Sequence, residues 1–206
     1  MYITGIREMR GVMLLSFDEG GLLRVRKKHF AKNPLSEGDE LDYDAYVSRL
    51  AQLQWNDCME AALSILDRGA QTRQMLIEKL VRAGYVTPVA EQAAQRLGEL
   101  GLIDDRRFAE RIAESRSRSD EGIYAVRRKL QAKGIDRDTA QEAAELFLDN
   151  EQQLEAARRF AVKRFERLRD LPPREARAKL GQALARRGFS WDIIAQAVDP
   201  LFAQDD

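Results

Sequence analysis

The sequence predicts a mainly α-helical protein: an elongated array of three tandem three-helix repeats, preceded by a small N-terminal β-hairpin or three-stranded extension. Three observations predict it. The first is a set of glycines, Gly84, Gly134 and Gly188, spaced 50 and 54 residues apart, each with a leucine four residues before it (Leu80, Leu130, Leu184) and an apolar residue after it (Tyr85, Ile135, Phe189). Self-similarity at about fifty residues marks a repeat architecture. The second is composition: 33% charged, 7% aromatic and 44% hydrophobic residues, the balance of amphipathic helices with solvated outer faces. The third is a change of pattern near the N-terminus, where short β-type runs are broken by turn residues.

Residues 1–53 form the extension. Val12–Phe17 and Leu22–Arg26 flank Asp18-Glu19-Gly20-Gly21, the signature of a hairpin. Tyr2-Ile3-Thr4 is expected to supply a third strand, because an isolated hairpin is only marginally stable in water. After the turn-forming segment Pro34–Asp39, the residues Tyr43, Tyr46, Val47, Leu50 and Leu53 recur at helical spacing and predict a short linking helix.

The repeats are expected at 54–102, 103–149 and 150–206. In each, an amphipathic helix ends, the glycine takes the left-handed conformation at its C-terminus, the next residue packs back, and a new helix starts. Asp136 and Ser190 stand at the N-cap of that new helix, with Thr87 before Pro88 expected in the same role in the first repeat. Ala93, Ala143 and Ala197 share one position of the second helix, as do Leu97, Phe147 and Leu201. One further helix precedes each pair, starting near Trp55, Asp104 and Glu151. In the last repeat Leu154, Ala157, Ala161, Phe165 and Leu168 line one face, with Arg159, Lys163 and Arg167 on the other. One unit buries little apolar area, so stacking of neighbours and an extended surface are expected.

The residues usually recruited for catalysis are sparse, and no enzyme activity, cofactor or metal is expected. The single histidine, His29, follows Arg26-Lys27-Lys28 and reads as a polar surface residue. Cys58 has no Cys or His at ligand spacing and reads as a small buried hydrophobe. Asp104-Asp105 precede Phe108, Ala109 and Ile112, where a helix start favours negative charge. Phosphate-loop, GxGxxG, HExxH and GxSxG patterns are absent from the sequence. Trp55 and Trp191 read as packed at repeat junctions. A lone cysteine and the charged opening residues Arg7, Glu8 and Arg10 argue against an oxidising compartment or a signal peptide, so a cytoplasmic, non-membrane protein is expected.

Charge is balanced overall, 34 basic against 34 acidic side chains, yet residues 151–189 hold eleven basic and five acidic ones, a net +6. Such a gradient can steer a helix surface toward nucleic acid or an acidic protein. The candidate contact residues are Arg127, Arg128, Lys129 and Lys133 in the middle repeat and Arg159, Lys163, Arg167, Arg186 and Arg187 in the last.

The segment Gly101–Ala109, followed by Gly122-Ile123 and Lys129–Ile135, resembles the RecX family of regulatory proteins. Ala62-Leu63, Leu66, Leu76, Leu80, Gly84 and Tyr85 resemble its first repeat, and Lys179-Leu180, Leu184 and Arg186–Ser190 its third. Together these cover roughly residues 55–202. Met75 stands where the family commonly has an acidic residue, and a strand-rich N-terminus occurs in only some members. The resemblance implies a protein that binds the RecA filament on single-stranded DNA, lies along its groove, and damps filament growth, ATP hydrolysis and strand exchange; separately, a monomer is expected. A weak direct contact with DNA is a further expectation, and a helical DNA-binding or architectural protein is the alternative.

Overall fold

A computed structural model describes residues 1–203. Among these the elements are β1 (Ile3–Met9), β2 (Val12–Phe17), β3 (Leu22–Arg26) and ten α-helices: α1 (Lys27–Phe30), α2 (Tyr43–Asp67), α3 (Arg73–Arg82), α4 (Thr87–Glu99), α5 (Asp105–Ser117), α6 (Ile123–Gln131), α7 (Arg137–Phe147), α8 (Asn150–Phe165), α9 (Pro173–Arg186) and α10 (Trp191–Phe202). The chain divides into two compact units, residues 1–104 and 105 onward.

In the first unit the sheet is antiparallel in the order β1-β2-β3. β2 and β3 are the predicted hairpin strands, joined across Gly20 and Gly21, both at positive φ. β1 is longer than the expected Tyr2–Thr4 and is joined to β2 by the two residues Arg10 and Gly11, at φ 51° and 79°. Both positive values define a type I′ hairpin turn, where asparagine and glycine are the unstrained choices. Arginine in the left-handed region costs about 1–2 kcal/mol, so the sequence hid this turn. Leu15, Phe17, Leu23 and Val25 point to one face of the sheet and join a core with Tyr46, Leu50, Cys58, Leu76, Leu80 and Leu97 from the helices.

The expected short linking helix and the first repeat helix are one 25-residue helix, α2, so residue 53 lies within it. The physical reason is that the run from Asp42 to Asp67 contains no glycine or proline. Asp42 caps its start by accepting from the Ala45 N–H at 3.0 Å.

The predicted glycine turns stand at φ 91° (Gly84), 80° (Gly134) and 85° (Gly188). The carbonyl of the leucine four residues earlier accepts the N–H of the residue after each glycine: Tyr85 to Leu80 at 3.1 Å, Ile135 to Leu130 at 3.2 Å and Phe189 to Leu184 at 3.3 Å. That bond closes the last helical turn, and both side chains of each pair are buried, which makes leucine and an apolar follower the recurring pair. Asp136 and Ser190 cap as expected, accepting from Thr139 N–H at 2.8 Å and Ile193 N–H at 3.3 Å. Thr87 does not cap: Val86 holds that position, and Thr87 and Pro88 are the first helical residues of α4. The Val86 N–H donates to the Gln54 Oε1 at 2.8 Å, so a buried glutamine from α2 anchors the start of α4.

Two further sequence-based assignments are overturned. His29 is 1% exposed, because α1 folds directly off β3 and turns its imidazole against α2. Trp191 is 70% exposed, since as first residue of α10 its ring lies over the outer edge of α9, near Gly181. Trp55 is half-buried against the first-unit core, and Cys58 is fully buried with its thiol pushed up to about 12 by desolvation.

Candidate partner-binding surface

The nine candidate cations all lie in the second unit, where the structure separates them into braces and outward groups. Lys129 forms an ion pair with Glu121. Arg159 reaches Asp120 at 3.5 Å and Glu155 at 3.2 Å. Arg187 donates to the Asp120 carbonyl at 2.8 Å while its guanidinium stacks 4.2 Å over the Phe160 ring. These three, drawn from α6, α8 and the end of α9, converge on residues 120–121 and hold the start of α6 against the turn at Gly188. The same junction carries backbone bonds from Gly122 N–H to the Arg187 carbonyl at 2.9 Å and from Tyr124 N–H to the Gly188 carbonyl at 3.1 Å. Gln153, buried on α8, completes it by accepting from Ile123 N–H at 3.1 Å and donating to the Leu148 carbonyl at 3.1 Å.

Arg127 and Lys133 lie over rings, Arg127 at 5.8 Å from Tyr124 and Lys133 at 6.0 Å from Phe108. Arg127 also lines a polar cavity of about 520 Å³ with Gln141, Glu145 and Asp149, and its Nε is buried without a hydrogen-bond partner. Arg128, Lys163, Arg167 and Arg186 are exposed and make no ion pair among the described residues. Arg164 and Arg158 share that condition; the repeat pattern alone did not separate them from neighbours such as Arg169, which pairs with Glu166 at 2.7 Å.

In the first unit a polar joint holds the sheet to the helices. His29 Nε2 lies 2.6 Å from the Asp57 Oδ2, which Lys28 also reaches at 2.5 Å. Arg26 donates to the Tyr85 hydroxyl at 2.6 Å, and that hydroxyl donates to the Asp57 carbonyl at 2.9 Å. Hydrogen bonding from Lys28 holds the Asp57 carboxyl below its ordinary range, while burial lowers His29 and raises Tyr85. The imidazole is therefore neutral near pH 7, donating through Nε2, with a buried Nδ1 that has no partner. Sequence spacing gave no sign of this cluster, because His29 and Asp57 meet only through the fold.

Among the described residues no group of three or more His, Cys, Asp or Glu side chains could hold a metal ion, and no helix is long and apolar enough to cross a membrane.

The fold and this surface define a protein built from three-helix units closed by glycine turns. Family models described as the second and third three-helix domains of RecX match residues 104–143 and 150–198. Curated relatives titled regulatory protein RecX include one from Chlorobium phaeobacteroides, 33% identical over 144 residues, covering 69% of this chain and 92% of that protein. Another from Chlorobaculum tepidum is 33% identical, covering 73% and 91%. A crystal structure of RecX from Lactobacillus salivarius superposes with a TM-score of 0.64 at 28% identity, covering 72% of this chain and 96% of that one. The chain belongs to the RecX family of regulatory proteins.

Proposed function

We propose that this protein regulates the RecA recombinase by docking on the RecA filament assembled on single-stranded DNA, slowing filament growth and with it ATP hydrolysis and strand exchange. Membership of a family of regulatory proteins carries the reading. It is supported by the outward cations Arg128, Lys163, Arg167 and Arg186, which make no ion pair among the described residues and so are available to a charged surface. No catalysis by the chain is invoked, and a cytoplasmic monomer suffices. The bracing cations Lys129, Arg159 and Arg187 act by holding the second unit together.

The test is RecA ATPase on single-stranded DNA with added protein. Wild type is expected to inhibit. Reversal of the outward four (R128E, K163E, R167E and R186E) should weaken inhibition about tenfold or more with the helical circular dichroism unchanged. R187E should lower the thermal midpoint as well. Unaltered ATPase with wild-type protein overturns the reading, and full inhibition by the four-site variant removes these residues from the contact.

A further inference from the structure

The solvent face of the N-terminal sheet carries a second cationic surface. Strand pairing sets Arg7, Leu14 and Arg24 in one row across the three strands and Met9, Val12 and Arg26 in the next. Arg10 projects from the turn beyond the second row, and Arg82 approaches from the end of α3. Between them lies a cavity of about 480 Å³ whose lining includes Arg10, Arg24, Arg26 and Arg82 and, among the described residues, no carboxylate. The nearby acids are committed elsewhere: Glu8, on the opposite face, pairs with Lys27 at 2.8 Å, and Glu78 lies 3.4 Å from Arg82. Arg26 is held by Tyr85 at 2.6 Å. Arg7, Arg10 and Arg24 are exposed and make no ion pair among the described residues.

We infer that this face binds the phosphate backbone of single-stranded nucleic acid. Guanidinium forks match phosphate oxygens in pairs. Alternate residues on one strand, such as Arg24 and Arg26, repeat at roughly 7 Å, of the order of the step between phosphates on an extended strand. Several arginines spread over rows suit a polyanion better than a single carboxylate. The apolar side chains between them, Met9, Val12 and Leu14, offer no ring for stacking, so the face reads charge and not base. Arg10, at φ 51°, a conformation that glycine adopts without strain, places its guanidinium-bearing side chain in the lining of the cavity. The inference is independent of RecA.

The experiment is fluorescence anisotropy of a labelled oligothymidylate with the full chain, without RecA, across a salt series. Wild type should bind with a steep salt dependence. R10E combined with R24E should lower affinity at least about tenfold and reduce the salt slope by roughly one to two, with circular dichroism unchanged. R10G should be as stable as wild type or more so and still bind more weakly, which loss of folding could not produce. The four-site reversal R128E, K163E, R167E and R186E should leave most of this binding intact. Failure of wild type to bind, unchanged affinity in the R10E and R24E protein, or displacement by poly-glutamate as readily as by unlabelled oligothymidylate would each overturn it, the last pointing to an acidic protein instead.

Discussion

The turns at Gly84 and Gly188 solve one problem with different incoming segments. At Gly84 the visitor is a strand end: Arg26 donates its N–H to the Gly84 carbonyl at 3.1 Å, and Gln54 Nε2 donates to the same oxygen at 3.0 Å. At Gly188 it is the start of a helix, with Tyr124 donating to the carbonyl, and Gln153 satisfying the neighbouring Ile123 N–H. Both glycines are buried and both joints use a buried glutamine, whereas the corresponding turn at Gly134 is exposed. The recurring unit is therefore a helix turn whose carbonyl can receive another segment's backbone, and a strand or a helix can serve.

The contrast predicts graded damage. A Cβ at Gly188 would lie 2.2 Å from the Ala125 nitrogen and 2.7 Å from its Cβ. Backbone cannot yield there without moving α6, so Gly188→Ala should cost about 3–5 kcal/mol, the left-handed strain included. Urea unfolding of the full chain measures it, and Gly134→Ala, carrying the φ strain of about 1–2 kcal/mol without a buried joint, is the calibrator. Equal losses at the two sites would break the comparison.

Gly84→Ala should be somewhat milder, about 2–4 kcal/mol, because its Cβ would meet the Arg26 nitrogen at 2.8 Å, a less severe overlap than the 2.2 Å approach at Gly188. Faster hydrogen exchange in β3 is the specific sign, and unaltered β3 protection would show that the strand does not rest on this turn.

The glutamines sharpen the parallel. Gln54→Leu strands the Val86 N–H, and Gln153→Leu strands the Ile123 N–H and the Leu148 carbonyl. Each should cost about 1–3 kcal/mol, the usual penalty for an unsatisfied buried group. A loss at one position only would mean that the two joints differ in kind.

How far this was legible in the sequence follows from where each signal resides. Helix stops are local: a glycine needing positive φ, a leucine before it and an apolar residue after it announce themselves at 84, 134 and 188. The hairpin of β2 and β3 showed for the same reason, through Gly20 and Gly21. The turn before Val12 did not, because Arg10 occupies a position where its residue type is uncommon. Partnerships across the fold left no local trace. Gln54 reads as an ordinary helix residue until Val86 is set beside it, and Arg159 and Arg187 read as free cations until Asp120 is placed between them. Trp191 reads as packed because apolar residues neighbour it in sequence, yet as the first residue of α10 it keeps its ring exposed. The candidate surface was legible as a concentration of charge, and its division into braces and outward groups was not.

The smallest effect concerns a joint that the second unit does not share. His29, in α1, is faced by Asp57 of α2, by Lys28 beside it, by Arg26 of β3 and by the Tyr85 ring at 6.3 Å. Burial lowers its proton affinity, and Lys28 and Arg26 add to that, against an opposing pull from Asp57. A proton on Nδ1 would leave a buried N–H without an acceptor. Above the unfolded value of about 6.5, histidine is neutral in both states and the stability is complete. As the pH falls through that value toward the lower folded one, the unfolded chain takes up a proton that the folded chain refuses, and stability declines across that interval. Asp57 contributes in a separate window, its stabilisation being lost only as pH falls below the ordinary carboxylate value of 3.8. The urea midpoint of the wild-type chain should therefore drop between about pH 7.5 and about pH 5.5, and His29→Gln should flatten that slope. The drop should be smaller than the Gln54 effect, because the Asp57 carboxylate offsets part of the desolvation. An identical slope in the two proteins would place the pH sensitivity elsewhere and leave the His29–Asp57 contact a packing feature alone.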